Sequence, residues 1–112
     1  MCQLATGSPV AAFFTVPQTQ VRFEGKLGVY QSSEKAMRKF CTECGTPLVY
    51  ELQADYDGKR MLTQEAPEVE ICVATLDTPS VLVPSEHYWL KSKQPWLELG
   101  DSLPKHYKND RE

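Results

Sequence analysis

Two cysteines separated by two residues, Cys41-Thr42-Glu43-Cys44, followed at once by Gly45, form the segment of this sequence best suited to chemistry. The spacing lets both thiolates converge on one tetrahedral metal ion, and a glycine relieves the tight backbone beyond them. Zinc ligation is therefore preferred over a pair of free thiols in a turn. A redox-active pair ranks third: such pairs open a helix within a βαβ unit, and Gly45 followed by Pro47 does not begin a helix.

A structural zinc takes four ligands. The other thiols are Cys2 and Cys72, and the imidazoles are His87 and His106. Cys72 lies inside an alternating apolar pattern, where a cysteine behaves as a small buried hydrophobe, so it reads as core. His87 fits a surface or a packing role equally, and His106 reads as solvated. Trp89, Trp96, Tyr88 and Leu97 suit an aromatic wall for a ligand, but in a small β domain their default is core and rim packing. Glu65, Glu68 and Glu70 read as a solvated face.

The elements that must position these residues are mostly strands. Val10 to Val16 is a short apolar run ended by Pro17, which cannot donate to a ladder. Val21 and Phe23 alternate with Arg22 and Glu24 before Gly25, and Leu27, Val29 and Tyr30 follow, so two further strands with a tight connection are expected. Lys39-Phe40 leads into the cysteine loop and Pro47 to Leu52 leaves it, which makes the loop a knuckle between two strands. Val69, Ile71 and Val73 give one more half-buried strand. Ser33 to Arg38 is a weak helix candidate of barely a turn and a half. The stretch from Asp55 to Pro67 is polar and reads as an exposed connection. The fold class expected is mainly β.

At 112 residues the chain fits one domain with a modest core. Hydrophobic residues are 41% and charged residues 24%, which places the sequence among globular rather than disordered chains. The net charge of −3 and the lack of a basic stripe argue against nucleic acid as a partner. No apolar run reaches the roughly 18 residues needed to cross a bilayer, and Met1-Cys2-Gln3 does not open a signal peptide. A cytoplasmic location away from membranes is expected, and there cysteines serve as metal ligands or thiols more often than as disulfides.

Taken together, several segments resemble the family that includes glutathione-dependent formaldehyde-activating enzyme and centromere protein V. They run in order from Cys2 to about Tyr107: Cys2-Gln3-Leu4-Ala5-Thr6-Gly7-Ser8-Pro9; Tyr30-Gln31-Ser32-Ser33; Arg38-Lys39-Phe40-Cys41-Thr42-Glu43-Cys44-Gly45-Thr46-Pro47-Leu48; Ala74-Thr75-Leu76-Asp77; Pro84-Ser85-Glu86-His87; Pro95-Trp96; and Leu103-Pro104. The resemblance implies a small domain of antiparallel sheets around cysteine-bound zinc, a fold often described as Mss4-like. Members typically carry a structural zinc held by an early C-x-C with a later C-x-x-C, and a catalytic zinc held by C-H-C-x-x-C. Cys41 and Cys44 match the later structural pair, and Cys2 matches the last cysteine of the catalytic trio. Those three are the metal ligands that the resemblance assigns here, with Thr6, Gly7 and Ser8 in the adjoining loop.

For complete members the resemblance implies a zinc-dependent carbon–sulfur lyase acting on an adduct of a thiol and a small carbonyl compound, such as S-hydroxymethylglutathione. A non-enzymatic, zinc-stabilised protein-interaction module is the alternative that the centromere branch suggests. The remaining cysteines of both motifs would precede Met1, so the expectation is a single domain over 1–112 lacking its N-terminal zinc-ligand segment and ending in a polar tail at 105–112. Its zinc would be held weakly or not at all, without lyase turnover. A truncated product of an ordinary member is the explanation preferred for this pattern. A short paralogue that has lost the chemistry, and a site completed by a second chain, stay open.

Overall fold

A computed structural model describes residues 2–34, 36–52 and 68–108. It is mainly β, with five strands among the described residues in one antiparallel sheet. Strands β1 (Phe13–Pro17), β2 (Leu27–Gln31), β3 (Ala36–Cys41), β4 (Pro47–Leu52) and β5 (Glu68–Cys72) lie in the order β1-β5-β4-β3-β2. The chain divides into two units, Ala12–Pro79 and a second made of Met1–Ala11 with Ser80–Glu112. Among the described residues no helix is long and apolar enough to cross a membrane.

The first unit holds the whole sheet. Alternation in β4 and β5 sets Val49 and Val69 on one face, through the pairs Val49↔Ile71 and Glu51↔Val69, and both are buried, Val69 to 1% exposure. On the other face Arg38 sits over the Tyr50 ring at 4.7 Å, and the Phe13 and Tyr50 rings lie 6.4 Å apart, a cross-strand stack of side chains. At Gly28 the missing side chain is filled by Phe40 from the neighbouring strand. A Cβ there would lie 2.3 Å from the Phe40 Cζ, so only glycine admits the ring.

The strands read from Val10–Val16, from Leu27 onward, from Pro47–Leu52 and from Val69 onward are present, with β1 ending on Pro17 as its missing N–H requires; the last of them, read through Val73 to near Leu76-Asp77, stops at Cys72, and Val73–Thr75 form a 3-10 turn instead. Two further expectations are corrected. The described residues of the 33–38 segment are not helical: Ser33 and Glu34 lie in a bend, and β3 runs from Ala36, because pairing with β2 on one side and β4 on the other outweighs local helix propensity. Residues 21–24 form no strand. Phe23 instead lies against the Lys39 ammonium at 4.9 Å, and Arg22 and Glu24 pair with each other at the surface. The connection read over 55–67 lies outside the described residues.

The second unit begins with α1 (Cys2–Thr6), a single short turn of helix that the sequence reading did not anticipate. The Thr6 hydroxyl donates back to the Cys2 carbonyl at 2.8 Å, and Gly7, at φ 64°, ends the turn by donating its N–H to the Gln3 carbonyl. The Gln3 amide then reaches the Ser92 carbonyl at 2.7 Å and accepts from Gln94 at 2.6 Å. In the C-terminal segment, residues 87–91 and 104–108 run side by side. His87 donates to the Pro104 carbonyl, His106 to the His87 carbonyl, and Trp89 to the Lys108 carbonyl, at 2.9, 2.8 and 2.9 Å.

Candidate functional site

The cysteine knuckle is built by the sheet on either side of it. Cys41 is the last residue of β3, and its N–H donates to the Thr46 carbonyl at 2.9 Å, just before β4 starts. Gly45 donates to the Cys41 carbonyl at 2.8 Å and holds φ 77°, a backbone conformation that side-chain-bearing residues rarely adopt. Thr42 ties the loop to the strand entry by donating its hydroxyl to the Lys26 carbonyl at 3.1 Å. The glycine expected to relieve the turn does so, and the knuckle expected between two strands is present.

This backbone brings the side chains of Cys41 and Cys44 into interaction. Cys41 is half-buried and Cys44 exposed. The Thr46 hydroxyl lies 3.0 Å from the Cys44 sulfur. Hydrogen bonds from the Thr46 side chain, the Thr46 backbone and Cys41 hold the Cys44 thiol below the usual thiol range, against the opposing charge of Glu43. A thiol so placed yields its proton readily, which both metal ligation and nucleophilic attack require. Two soft donors converging on one side of a turn are of the kind zinc accepts and number half of a tetrahedral thiolate set. Among the described residues, no three His, Cys, Asp or Glu side chains are grouped to hold a metal ion.

Cys2 opens α1, half-buried, in the other unit. Ser8, in the loop beyond it, has its hydroxyl turned onto Val10, donating to the carbonyl at 2.8 Å and accepting from the N–H at 3.3 Å. Cys72 closes β5 opposite Phe13 and is half-buried rather than fully buried. It stands at the strand end, where the chain turns into a 3-10 segment that Thr75 ties back by donating to the Cys72 carbonyl. No disulfide joins any of the four cysteines.

A second cluster of titratable groups, which sequence reasoning did not assemble, lies in the C-terminal segment. His87 Nε2 sits 2.9 and 3.0 Å from the two Asp101 carboxylate oxygens. That hydrogen bond, with the Leu103 N–H and the nearby Lys105, holds Asp101 below the usual carboxylate range. Tyr88 donates its hydroxyl to Glu86 and stacks on His106 with ring centroids 4.7 Å apart. Glu86 is thereby held below the usual range, with His106, 3.5 Å away, acting in the same direction.

His106 is thus half-buried under the Tyr88 ring, not solvated as expected. The only sequence signal for the cluster was the short spacing of Glu86, His87 and Tyr88; their partners come from a return of the chain that no local pattern reveals. Trp89, Trp96 and Tyr88 are exposed, so core packing is corrected for all three. Glu68 and Glu70 are half-buried in β5 rather than part of a solvated face, and Glu65 lies outside the described residues.

Residues 1–92 match a family described as glutathione-dependent formaldehyde-activating enzyme, the family suggested by the ordered motifs of the sequence. No curated protein matches the chain.

Proposed function

Because the chain belongs to the family of glutathione-dependent formaldehyde-activating enzymes, we propose that it is a zinc-dependent carbon–sulfur lyase, acting on the adduct of a thiol such as glutathione with formaldehyde. The match over residues 1–92 is the observation that carries this reading. The knuckle supports it, since Cys41 and Cys44 present two converging thiols, and hydrogen bonds from Thr46 hold the Cys44 thiol below the usual thiol range. In this reading Cys41 and Cys44 hold a structural zinc, and Cys2 is one ligand of a catalytic zinc.

Zinc at a site with an open position supplies a Lewis acid that polarises a carbonyl or binds a substrate thiol as thiolate. The chain's own part is positional. The Cys41–Thr46 and Gly45–Cys41 backbone bonds fix where the two knuckle sulfurs point, and the Thr46 hydroxyl steadies the Cys44 thiolate. Around Cys2, the Thr6 hydroxyl and the Gly7 turn set the orientation of the first helical residues.

The test is to purify the chain under reducing conditions and measure bound zinc, thermal stability and turnover of the glutathione–formaldehyde adduct together. Turnover that a chelator abolishes and zinc restores supports the lyase reading. Zinc bound tightly with a stabilising effect but no turnover supports the interaction module instead. Zinc content unchanged in Cys41→Ser and Cys44→Ser variants would remove the knuckle from the metal site.

A further inference from the structure

The five residues of α1 have little of their own to hold them in place. One turn of helix is marginal by itself, and its largest apolar side chain, Leu4, is 90% exposed. Gln3 supplies a long-range anchor, because its amide is engaged at both ends. Its Nε2 donates to the Ser92 carbonyl at 2.7 Å, and its Oε1 accepts from Gln94 Nε2 at 2.6 Å. Those partners lie 89 and 91 positions along the chain, in the same compact unit as α1.

The far side of the anchor is itself braced. Ser92 ends a 3-10 turn over Leu90–Ser92, in which Ser92 and Lys93 donate to the Trp89 and Leu90 carbonyls at 3.0 Å each. The Gln94 carbonyl accepts from the Leu97 N–H at 3.0 Å, and Lys93 Nζ reaches the Leu97 carbonyl at 2.6 Å. An amide held at two points on such a platform resists both swing and roll. Successive helical residues stand about 100° apart around the axis, so fixing Gln3 also fixes the direction of Cys2 immediately before it.

We propose that Gln94 is a positioning residue for the Cys2 thiol, acting through Gln3. The inference rests on the reading of Cys2 as a zinc ligand. Groups that stand behind a ligand and fix its direction set metal affinity without touching the metal. Gln94 lies beyond residues 1–92 that match the family, so part of the support for Cys2 comes from chain outside the matched stretch.

Gln94→Glu keeps the size of the side chain and removes the donor that Gln3 Oε1 accepts from. Adding Gln3→Arg supplies donors to both the Ser92 carbonyl and the new carboxylate. The chain is stripped with a chelator under reducing conditions, zinc is titrated back, and alkylation of Cys2 by iodoacetamide is read by mass spectrometry, with Cys41 and Cys44 as internal references. Zinc should protect Cys2 in the wild type. Gln94→Glu should raise the half-protecting zinc concentration about three- to tenfold, the range of one hydrogen bond, and the double variant should restore it. Protection of Cys41 and Cys44 and the circular dichroism spectrum should not change. In the metal-free chain, hydrogen exchange at the Gly7 amide, which donates to the Gln3 carbonyl, should quicken in Gln94→Glu and slow again in the double variant. Equal protection of Cys2 in wild type and Gln94→Glu overturns the proposal and leaves Cys2 a ligand. Alkylation of wild-type Cys2 indifferent to zinc removes Cys2 from the metal site and the proposal with it, and the Gly7 exchange then marks the amide pair as a structural tie only. A loss of protection shared by all three cysteines, which Gln3→Arg does not restore, also overturns it.

Discussion

Lys39 Nζ lies 3.4 Å from Glu51 Oε1 across β3 and β4, and their side chains keep only 19% and 12% of their exposure. The pair occupies the same face of the sheet as buried Val49 and Val69, next to the Phe23 ring, which receives the ammonium at 4.9 Å. Removing one partner leaves the other charge largely desolvated. Glu51→Gln should cost about 2 kcal/mol, below the roughly 3–5 kcal/mol of fully buried pairs because some solvent remains. The double variant Lys39→Met with Glu51→Leu should recover most of it. Urea unfolding of the wild type, Lys39→Met, Glu51→Leu and their double variant completes the cycle, and additive losses would show the pair to be uncoupled.

Gly28→Ala should destabilise the chain by about 1–3 kcal/mol, the usual cost of forcing extra volume into a packed contact. The new Cβ would meet the Phe40 ring at 2.3 Å. Adding Phe40→Leu should relieve part of that loss. If Gly28→Ala alone leaves the thermal midpoint unchanged, Phe40 does not hold the position described.

In chelator-treated protein, Cys44 should be alkylated by iodoacetamide faster than Cys72 at neutral pH, since the Thr46 hydrogen bonds favour its thiolate and it is exposed. Thr46→Val removes the side-chain bond at 3.0 Å and should slow that reaction, moving its pH midpoint upward. Mass spectrometry of the modified peptides reads both effects. A rate at Cys44 insensitive to Thr46→Val would remove the hydroxyl from the account.

Asp101 is held below the usual carboxylate range chiefly by the His87 hydrogen bond. A carboxylate with a depressed folded-state pKa contributes stability that is fully present above its unfolded value and is lost as pH falls through the folded one. Acid should therefore loosen the 87–91 and 104–108 pairing only below the ordinary carboxylate range. Asp101→Asn should flatten this part of the acid limb. Hydrogen exchange at the His87 and His106 amides, followed from neutral to acidic pH, checks the prediction, and identical profiles in the variant would refute it.

What the sequence disclosed was local. The alternation of Val69 and Ile71 carries its own strand signal, and C-x-x-C-G carries its own turn chemistry, so β5 and the knuckle were legible. Ala36 to Arg38 was not, because Ala, Met and Arg are good helix formers and these residues join the strand only through two neighbours distant in the chain. The Lys39–Glu51 and His87–Asp101 pairs were hidden for the same reason, since each joins residues more than ten positions apart. The exposure of Trp89 and Trp96 was missed because their size suggested a core.

Between Lys39 and Phe40 the β3–β4 register slips, so that Lys39 faces Val49 while Phe40 faces Pro47. Counting on along an unbroken ladder, Cys41 would have met Pro47, whose ring nitrogen has nothing to donate. With the slip it meets Thr46 instead, the residue whose carbonyl takes the Cys41 N–H and whose hydroxyl reaches the Cys44 sulfur. The thiol environment thus depends on an odd-or-even count of residues between the sheet and the loop, independent of which side chains fill them. Leu48 is the residue the slip leaves unmatched, and it is by passing over this one position that Cys41 comes to stand opposite Thr46, so the length of this segment is as much a part of the site as its sulfurs.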